Sequence, residues 1–354
     1  MFNFNESLSK IKVPIFSPFR VCVDMGTTNT KIAVLTKGFV LKEATFLGLN
    51  TKTHSYIFFG DEAKLIIGKT PDFIKIIRPV VNGVIIDFDA QVSLIRKYIE
   101  KSVLPYLKNY FFIKPPMHAV ASVPFISTEI EKKAVEEVLY KIGFSDVSLI
   151  EKPLANAASL KMNIFSHHPI LIVDLGGGLI EMAVISGGGI VSEKALKTAG
   201  DAMNKSIANY VYLKNGVILG ENTCEELKIN LMNFTNDEKT TVVRGKSLEN
   251  GLPKSIRIKS SDIKEALITP FTQIIDAVKE LIEASPPEVV DEIYKSGIVL
   301  TGGLSQIKGI DLFFAKELKT DVIINENSEN STIYGLLNTC KDRRDLIRLT
   351  IPKI

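Results

Sequence analysis

Short apolar runs that end in an acidic residue and a glycine-rich turn recur along the chain. Residues 21–34 read VCVDMGTTNTKIAV, and residues 171–184 read LIVDLGGGLIEMAV. Displaced by 150 positions, Asp24 matches Asp174, Gly26 matches Gly176, and Ala33–Val34 matches Ala183–Val184. Each copy predicts an apolar strand ending in Asp, a tight turn and a second apolar strand. One such unit alone is an ordinary hairpin. Two copies with the same internal order predict two similar lobes facing one another. A third element, GIVLTGGLSQIKG (297–309), predicts a strand running into Gly302–Gly303 and then a helix. Strands and helices alternate through most of the chain, which predicts an α/β architecture.

The pattern around residue 150 raises a question of charge. VSLI (147–150) predicts a short strand and PLANAASL (153–160) a helix start, with Pro153 at the first helical position. Lys152 then sits at or near the N-cap, where a cation opposes the helix dipole. Such a lysine calls for an anion, either a bound phosphate or an acid such as Glu151 or another surface carboxylate.

Composition narrows the class. A chain of 354 residues, 45% apolar and 23% charged, can build two or more lobes. A net charge of +3 gives no footprint for nucleic acid. Three cysteines, odd in number and distant in sequence, argue for reduced thiols rather than a disulfide framework. No histidine has a Cys or His partner at zinc-ligand spacing. No apolar run is long enough to cross a bilayer and the N-terminus lacks a signal-peptide core, so the expectation is a cytoplasmic protein with peripheral membrane contact left open.

Three glycine-marked turns let backbone N–H groups approach a ligand without Cβ interference. Carboxylates at two strand ends, Asp24 and Asp174, suit a water-coordinated Mg²⁺ between them. The implied ligand is a nucleotide polyphosphate clamped between lobes.

At this level the residues resemble a known family. Paired DxGT and DxGGG hairpins with a later GG turn mark the superfamily of actins, heat-shock chaperones and sugar kinases. Within it the chain is similar to MreB, the bacterial actin, over almost its full length. The resemblance is carried by DMGTTNT (24–30), IGKTPDFIKIIRPVVNGVIIDF (67–88), SVPFISTEIEKKA (122–134), VDLGGGLIEMAVISGGGIV (173–191), AGDAMNKSI (199–207), LGENTCEELK (219–228) and SPPEVVDEIYKSGIVLTGG (285–303). It implies an actin-like ATPase fold, with two duplicated lobes and four subdomains around a nucleotide cleft. Lobe I would span 20–165 with an outer subdomain at about 46–79. Lobe II would span 166–334 with its outer part at about 201–261, and 335–354 would return to lobe I. The family binds ATP or ADP with Mg²⁺ and polymerises with itself, and among paralogous subunits, into double protofilaments on the inner face of the membrane.

Carried over residue by residue, Gly26, Thr27, Thr28 and Asn29 would line the β-phosphate and Gly176, Gly177 and Gly178 the γ-phosphate. Asp24 and Asp174 would lie near the metal, and Gly302 and Gly303 would abut the nucleoside. Glu225 and Lys228 share a helical face and would pinch the ribose and adenine; a solvated i,i+3 ion pair is the alternative. Lys31, seven residues after Asp24, stands where actin places a phosphate-binding lysine and most MreB chains are apolar. The alternative is a strand lysine facing solvent.

Two positions depart from the family. MreB has a glutamate that orients the attacking water where this chain has Lys152, and a threonine that assists it where this chain has Leu179. An ammonium has three donors and no acceptor, and leucine offers nothing polar. The expectation is nucleotide binding with weak hydrolysis. A fully active ATPase using a compensating residue stays open, as does a small-molecule kinase of the same superfamily.

Three segments suit a membrane surface. Tyr110, Phe111, Phe112 and Ile113, flanked by Lys108 and Lys114, stand where MreB has a membrane-inserting loop, although a core strand could begin there. Phe4, Leu8 and Ile11 at helical spacing make 1–19 a second candidate anchor. The basic C-terminal segment 341–354 is either a membrane tail or a packed helix with a charged outer face.

Overall fold

Two five-stranded sheets of identical topology dominate the computed structural model, which describes residues 18–108 and 114–352. In the first, Phe19–Met25, Asn29–Val34 and Gly38–Ala44 form an antiparallel meander. Met117–Val123 and Asp146–Glu151 add in parallel beyond Phe19–Met25. In the second, Ile170–Leu175, Ile180–Ser186 and Gly189–Leu196 form the meander, and Ile298–Thr301 and Val322–Ile324 add in parallel. The repeat is also one of register. Asp24 faces Lys31 across the first hairpin, and Asp174 faces Glu181 across the second.

Each sheet is covered on both faces, which is why its central strands read as near-continuous apolar runs. Successive side chains of Phe19–Met25 alternate between two cores. Val21 and Val23 pack with Leu94, Ile95 and Ile99 of the helix Phe88–Ser102, while Cys22 points into an inner layer. In the second lobe Leu171 and Val173 pack with Phe271, Ile274 and Ile275 of the helix Ser260–Glu283, while Ile172 joins the inner layer. Fully burying each such aliphatic side chain contributes about 1.5–3 kcal/mol. The inner layer includes residues of the helices Lys152–Ala158 and Ser331–Lys341. These two helices touch so closely that a Cβ on Gly335 would lie 1.6 Å from the Ala155 carbonyl oxygen. All three cysteines are free, and the sulfurs of Cys22 and Cys340, distant in sequence, are 3.5 Å apart in this layer.

Local signals set the helix ends. Asp87 caps Phe88–Ser102, and Thr128 with Glu131 forms a capping box on Glu129–Ile142, which ends at the left-handed Gly143. The helix Lys152–Ala158 begins one residue earlier than the sequence pattern predicts. Glu151 is its N-cap without a side-chain cap bond, Lys152 is its first residue and Pro153 its second.

Each large sheet carries a small three-stranded one. Leu47–Asn50, Ser55–Phe59 and Ile74–Ile77 form that of the first lobe, and Val217–Ile218, Thr240–Ser247 and Pro253–Lys259 that of the second. At the C-terminus the helix Arg343–Leu349 buries Leu346 and Leu349, and the Ile351 N–H donates to the Leu149 carbonyl. As far as residue 352, therefore, the basic C-terminal segment is packed against the first lobe. The candidate membrane residues Tyr110, Phe111, Phe112 and Ile113, and the helical-spacing set Phe4, Leu8 and Ile11, lie outside the described residues. Among the described residues no helix is long and apolar enough to cross a membrane.

Candidate functional site

The two DxG turns meet at the floor of a cleft between the lobes. Gly26 is required by its own turn, because a Cβ there would sit 2.6 Å from the Asn29 carbonyl oxygen. Gly176 repeats this against the Leu179 carbonyl, at 2.4 Å. The hairpin tips then approach each other. A Cβ on Gly177 would lie 2.0 Å from Thr28 Oγ1, and one on Gly178 2.3 Å from Thr27 Oγ1. Gly302, at φ +84°, passes close over the second hairpin, where a Cβ would reach the Leu175 carbonyl at 2.5 Å. These approaches enclose a cavity of about 340 Å³ lined by all of the sequence-predicted nucleotide, metal and hydrolytic positions.

The strand-end carboxylates are held in matching ways. Asp24 Oδ1 accepts from Ser122 Oγ at 2.9 Å, and Asp174 Oδ1 accepts from Thr301 Oγ1 at 3.0 Å. Ser122 and Thr301 are the register partners of these aspartates on the neighbouring parallel strands. The other carboxylate oxygen of each faces a lysine. Lys31 Nζ is 3.9 Å from Asp24 Oδ2, and Lys152 Nζ is 3.3 Å from Asp174 Oδ2. Asp174 Oδ2 has no directed hydrogen bond, so the contact with Lys152 is ionic. Lys31 also donates to the Glu329 carbonyl and is buried, so it is not a strand lysine facing solvent.

The charges perturb one another. Burial would lower the Lys152 pKa, but Asp174, Asp24 and Glu181 together outweigh it and hold the ammonium firmly protonated. Burial lowers the Lys31 pKa against the pull of Asp24. Glu181, whose carboxylate accepts from the Phe125 N–H at 3.0 Å, is pushed up to about 7 by burial, against the opposing effect of Lys152. Glu151 does not line the cavity; burial raises its pKa and Lys132 lowers it. Leu179 is buried at the cavity wall.

The outer rim is closed by ion pairs between lobes. Glu225 Oε2 accepts from Lys64 Nζ at 2.7 Å, and Asn222 donates to the Lys64 carbonyl at 2.9 Å. Arg78 binds Asp201 at 3.2 Å and also Glu221. Glu225 and Lys228 both line the cavity, but they form no ion pair with each other. Lys228 is buried and donates to the Gly200 carbonyl and to Asn204 Oδ1, both at 2.7 Å. Burial lowers its pKa to about 8 against the pull of Glu225 and Asp201.

The residues suit a polyphosphate well. They offer a glycine cradle, buried lysines facing the cavity, and Thr28 Oγ1, a buried hydroxyl without a partner. They suit a divalent cation poorly, because both carboxylates expected to hold Mg²⁺ through water already face an ammonium.

Sequence reasoning missed Glu181, Ser122, Thr301 and Asp201. Glu181 was accessible through the repeat, since it lies 150 residues beyond Lys31. Ser122 and Thr301 required strand pairing, which a hydrophobic pattern does not specify.

Residues 19–348 match the family model described as MreB/Mbl protein. The cell shape-determining protein Mbl of Bacillus subtilis (strain 168) is 34% identical over 315 residues, covering 88% of this chain and 93% of Mbl. The crystal structure of MreB5 of Spiroplasma citri bound to ADP is 30% identical with a TM-score of 0.86, over 92% of this chain and 97% of that one. The MamK double helical filament, 17% identical with a TM-score of 0.75 over 91% and 99% of the two chains, shares the actin-like fold.

Proposed function

The chain belongs to the MreB/Mbl family of actin-like cytoskeletal proteins, and we propose that it is a nucleotide-holding filament subunit with weak ATPase activity. It binds ATP and ADP in the interlobe cleft and polymerises with itself into double protofilaments, with paralogous subunits as further partners. Its place is the cytoplasmic face of the cell membrane, in cell shape or motility. The nucleotide part is supported by the glycine cradle and the orphaned Thr28 hydroxyl, and by the ADP bound to MreB5.

The observation that carries weak hydrolysis is the Lys152–Asp174 pair. Phosphoryl hydrolysis needs an acceptor that orients the attacking water. At 152 the side chain is a donor already engaged by Asp174, and at 179 it is apolar. Loss of these two aids lowers hydrolysis by about 10²- to 10⁴-fold, by analogy with other acid–base and electrostatic deletions.

A second possibility rests on Glu181, a buried cleft carboxylate close enough to Lys152 and Asp174 to feel both charges. It could orient water in place of the missing glutamate and sustain ordinary turnover. Glu181→Gln separates the two, because it abolishes hydrolysis only if Glu181 is that group.

Membrane association is supported by the aromatic run Tyr110–Phe111–Phe112 between Lys108 and Lys114. Liposome co-sedimentation of Phe111→Ser/Phe112→Ser tests it, with loss of binding expected. Negative-stain microscopy with ATP, ADP and a non-hydrolysable analogue tests the central proposal. Filaments that assemble alike with ATP and the analogue support it; no filaments with any nucleotide overturn it.

A further inference from the structure

We propose that Lys152 and Lys31 take over the electrostatic role of a divalent cation, so that this chain holds its nucleotide polyphosphate without needing Mg²⁺. The inference rests on nucleotide binding in the interlobe cleft and adds how the phosphate charge is met.

The geometry is duplicated and specific. Each strand-end aspartate has one oxygen fixed by a hydroxyl from the adjacent parallel strand and the other facing an ammonium. A hydrated divalent ion bridging Asp24 and Asp174 to phosphate needs those outer oxygens free of other cations. Here Asp24, Asp174 and Glu181 together carry −3 when all are ionised, and Lys31 and Lys152 offset +2 of it, so one net negative charge is left for a metal. A cation entering the site must therefore displace or approach two like charges in a partly desolvated space, where repulsion is poorly screened.

Neither lysine is easily displaced. Lys152 opens a helix whose next four residues, Pro153, Leu154, Ala155 and Asn156, are all buried. Lys31 lies in the centre of a paired strand and is tied to the Glu329 carbonyl. Both line the same cavity as the phosphate-cradling glycines. An ammonium supplies charge and three donors to phosphate oxygens without a coordination sphere of its own. Two of them at fixed positions, each shared with an aspartate, can donate to phosphate oxygens in the place that other nucleotide sites give to a metal.

The test is nucleotide affinity with the full chain, by calorimetry with ADP and with a non-hydrolysable ATP analogue, in excess Mg²⁺ and in excess EDTA. The wild type is expected to bind in both, with dissociation constants within about 3-fold. Lys152→Met is expected to bind at least about 10-fold more weakly in EDTA than in Mg²⁺. Lys31→Met gives the same measurement should the first variant fold poorly. Wild-type binding that disappears in EDTA overturns the inference and leaves the nucleotide site standing. Equal losses with and without Mg²⁺ in the lysine variants also overturn it. No binding by the wild type under either condition overturns the nucleotide site itself.

Discussion

Lys152 Nζ and Asp174 Oδ2 lie 3.3 Å apart across the interlobe cleft, joining the first residue of a lobe I helix to the end of a lobe II strand. This pair explains why the helix tolerates a cation at its N-terminus. The dipole penalty is about 0.3–1 kcal/mol, whereas the attraction of a nearly buried carboxylate is larger. The anion it faces is neither Glu151 nor a surface acid but Asp174 of the other lobe.

Removing one partner of such a pair leaves the other charge buried and uncompensated. Lys152→Met is expected to destabilise the protein by about 2–4 kcal/mol, and adding Asp174→Asn to recover most of that loss. Urea denaturation of the two single variants and the double variant measures the coupling. Additive losses would mean that the pair contributes little beyond packing.

The rim contacts of Lys64 with Glu225, and of Arg78 with Asp201 and Glu221, hold the outer parts of the lobes together. They are partly exposed, so each is worth no more than about 1 kcal/mol. Lys64→Ala/Arg78→Ala is expected to speed release of a fluorescent ADP analogue by about 2- to 10-fold in stopped flow. An unchanged release rate would show that the rim does not gate the cleft.

Lys228 yields a pH dependence. Its folded pKa, lowered to about 8 by burial, lies below the ordinary lysine value of 10.5. Between these values the unfolded chain holds a proton that the folded chain has released, so this residue makes stability rise with pH. Its contribution is constant below about pH 8 and grows towards pH 10.5, by up to about 3 kcal/mol. The stability of wild type minus that of Lys228→Met should therefore rise between pH 7.5 and pH 10. A constant difference would place the folded pKa near its ordinary value.

Much of the architecture was legible because the duplicated hairpins carry their own register. An apolar strand, an Asp and a DxG turn specify both the strand pair and the tip that approaches the other lobe. The turn positions Gly26, Gly176 and Gly302 followed from that pattern, whereas Glu225, Lys228, Lys152 and Leu179 were placed in the cleft by the resemblance to MreB, and Lys31 by that to actin. What was not legible depends on partners distant in sequence. Nothing local joins Lys152 to Asp174, Lys64 to Glu225, or Cys22 to Cys340, and nothing in the pattern pairs Asp24 with Ser122. The charge of the site is therefore a property of tertiary structure, although every residue that carries it is visible in the chain.

Single-turnover phosphate release, compared between wild type and Lys152→Glu/Leu179→Thr with bound nucleotide confirmed in both, tests the central claim most directly. Restoring an acceptor and a hydroxyl at the two positions should raise the rate by about 10²- to 10⁴-fold over a slow wild type. Wild-type release as fast as that of the double variant would contradict the account.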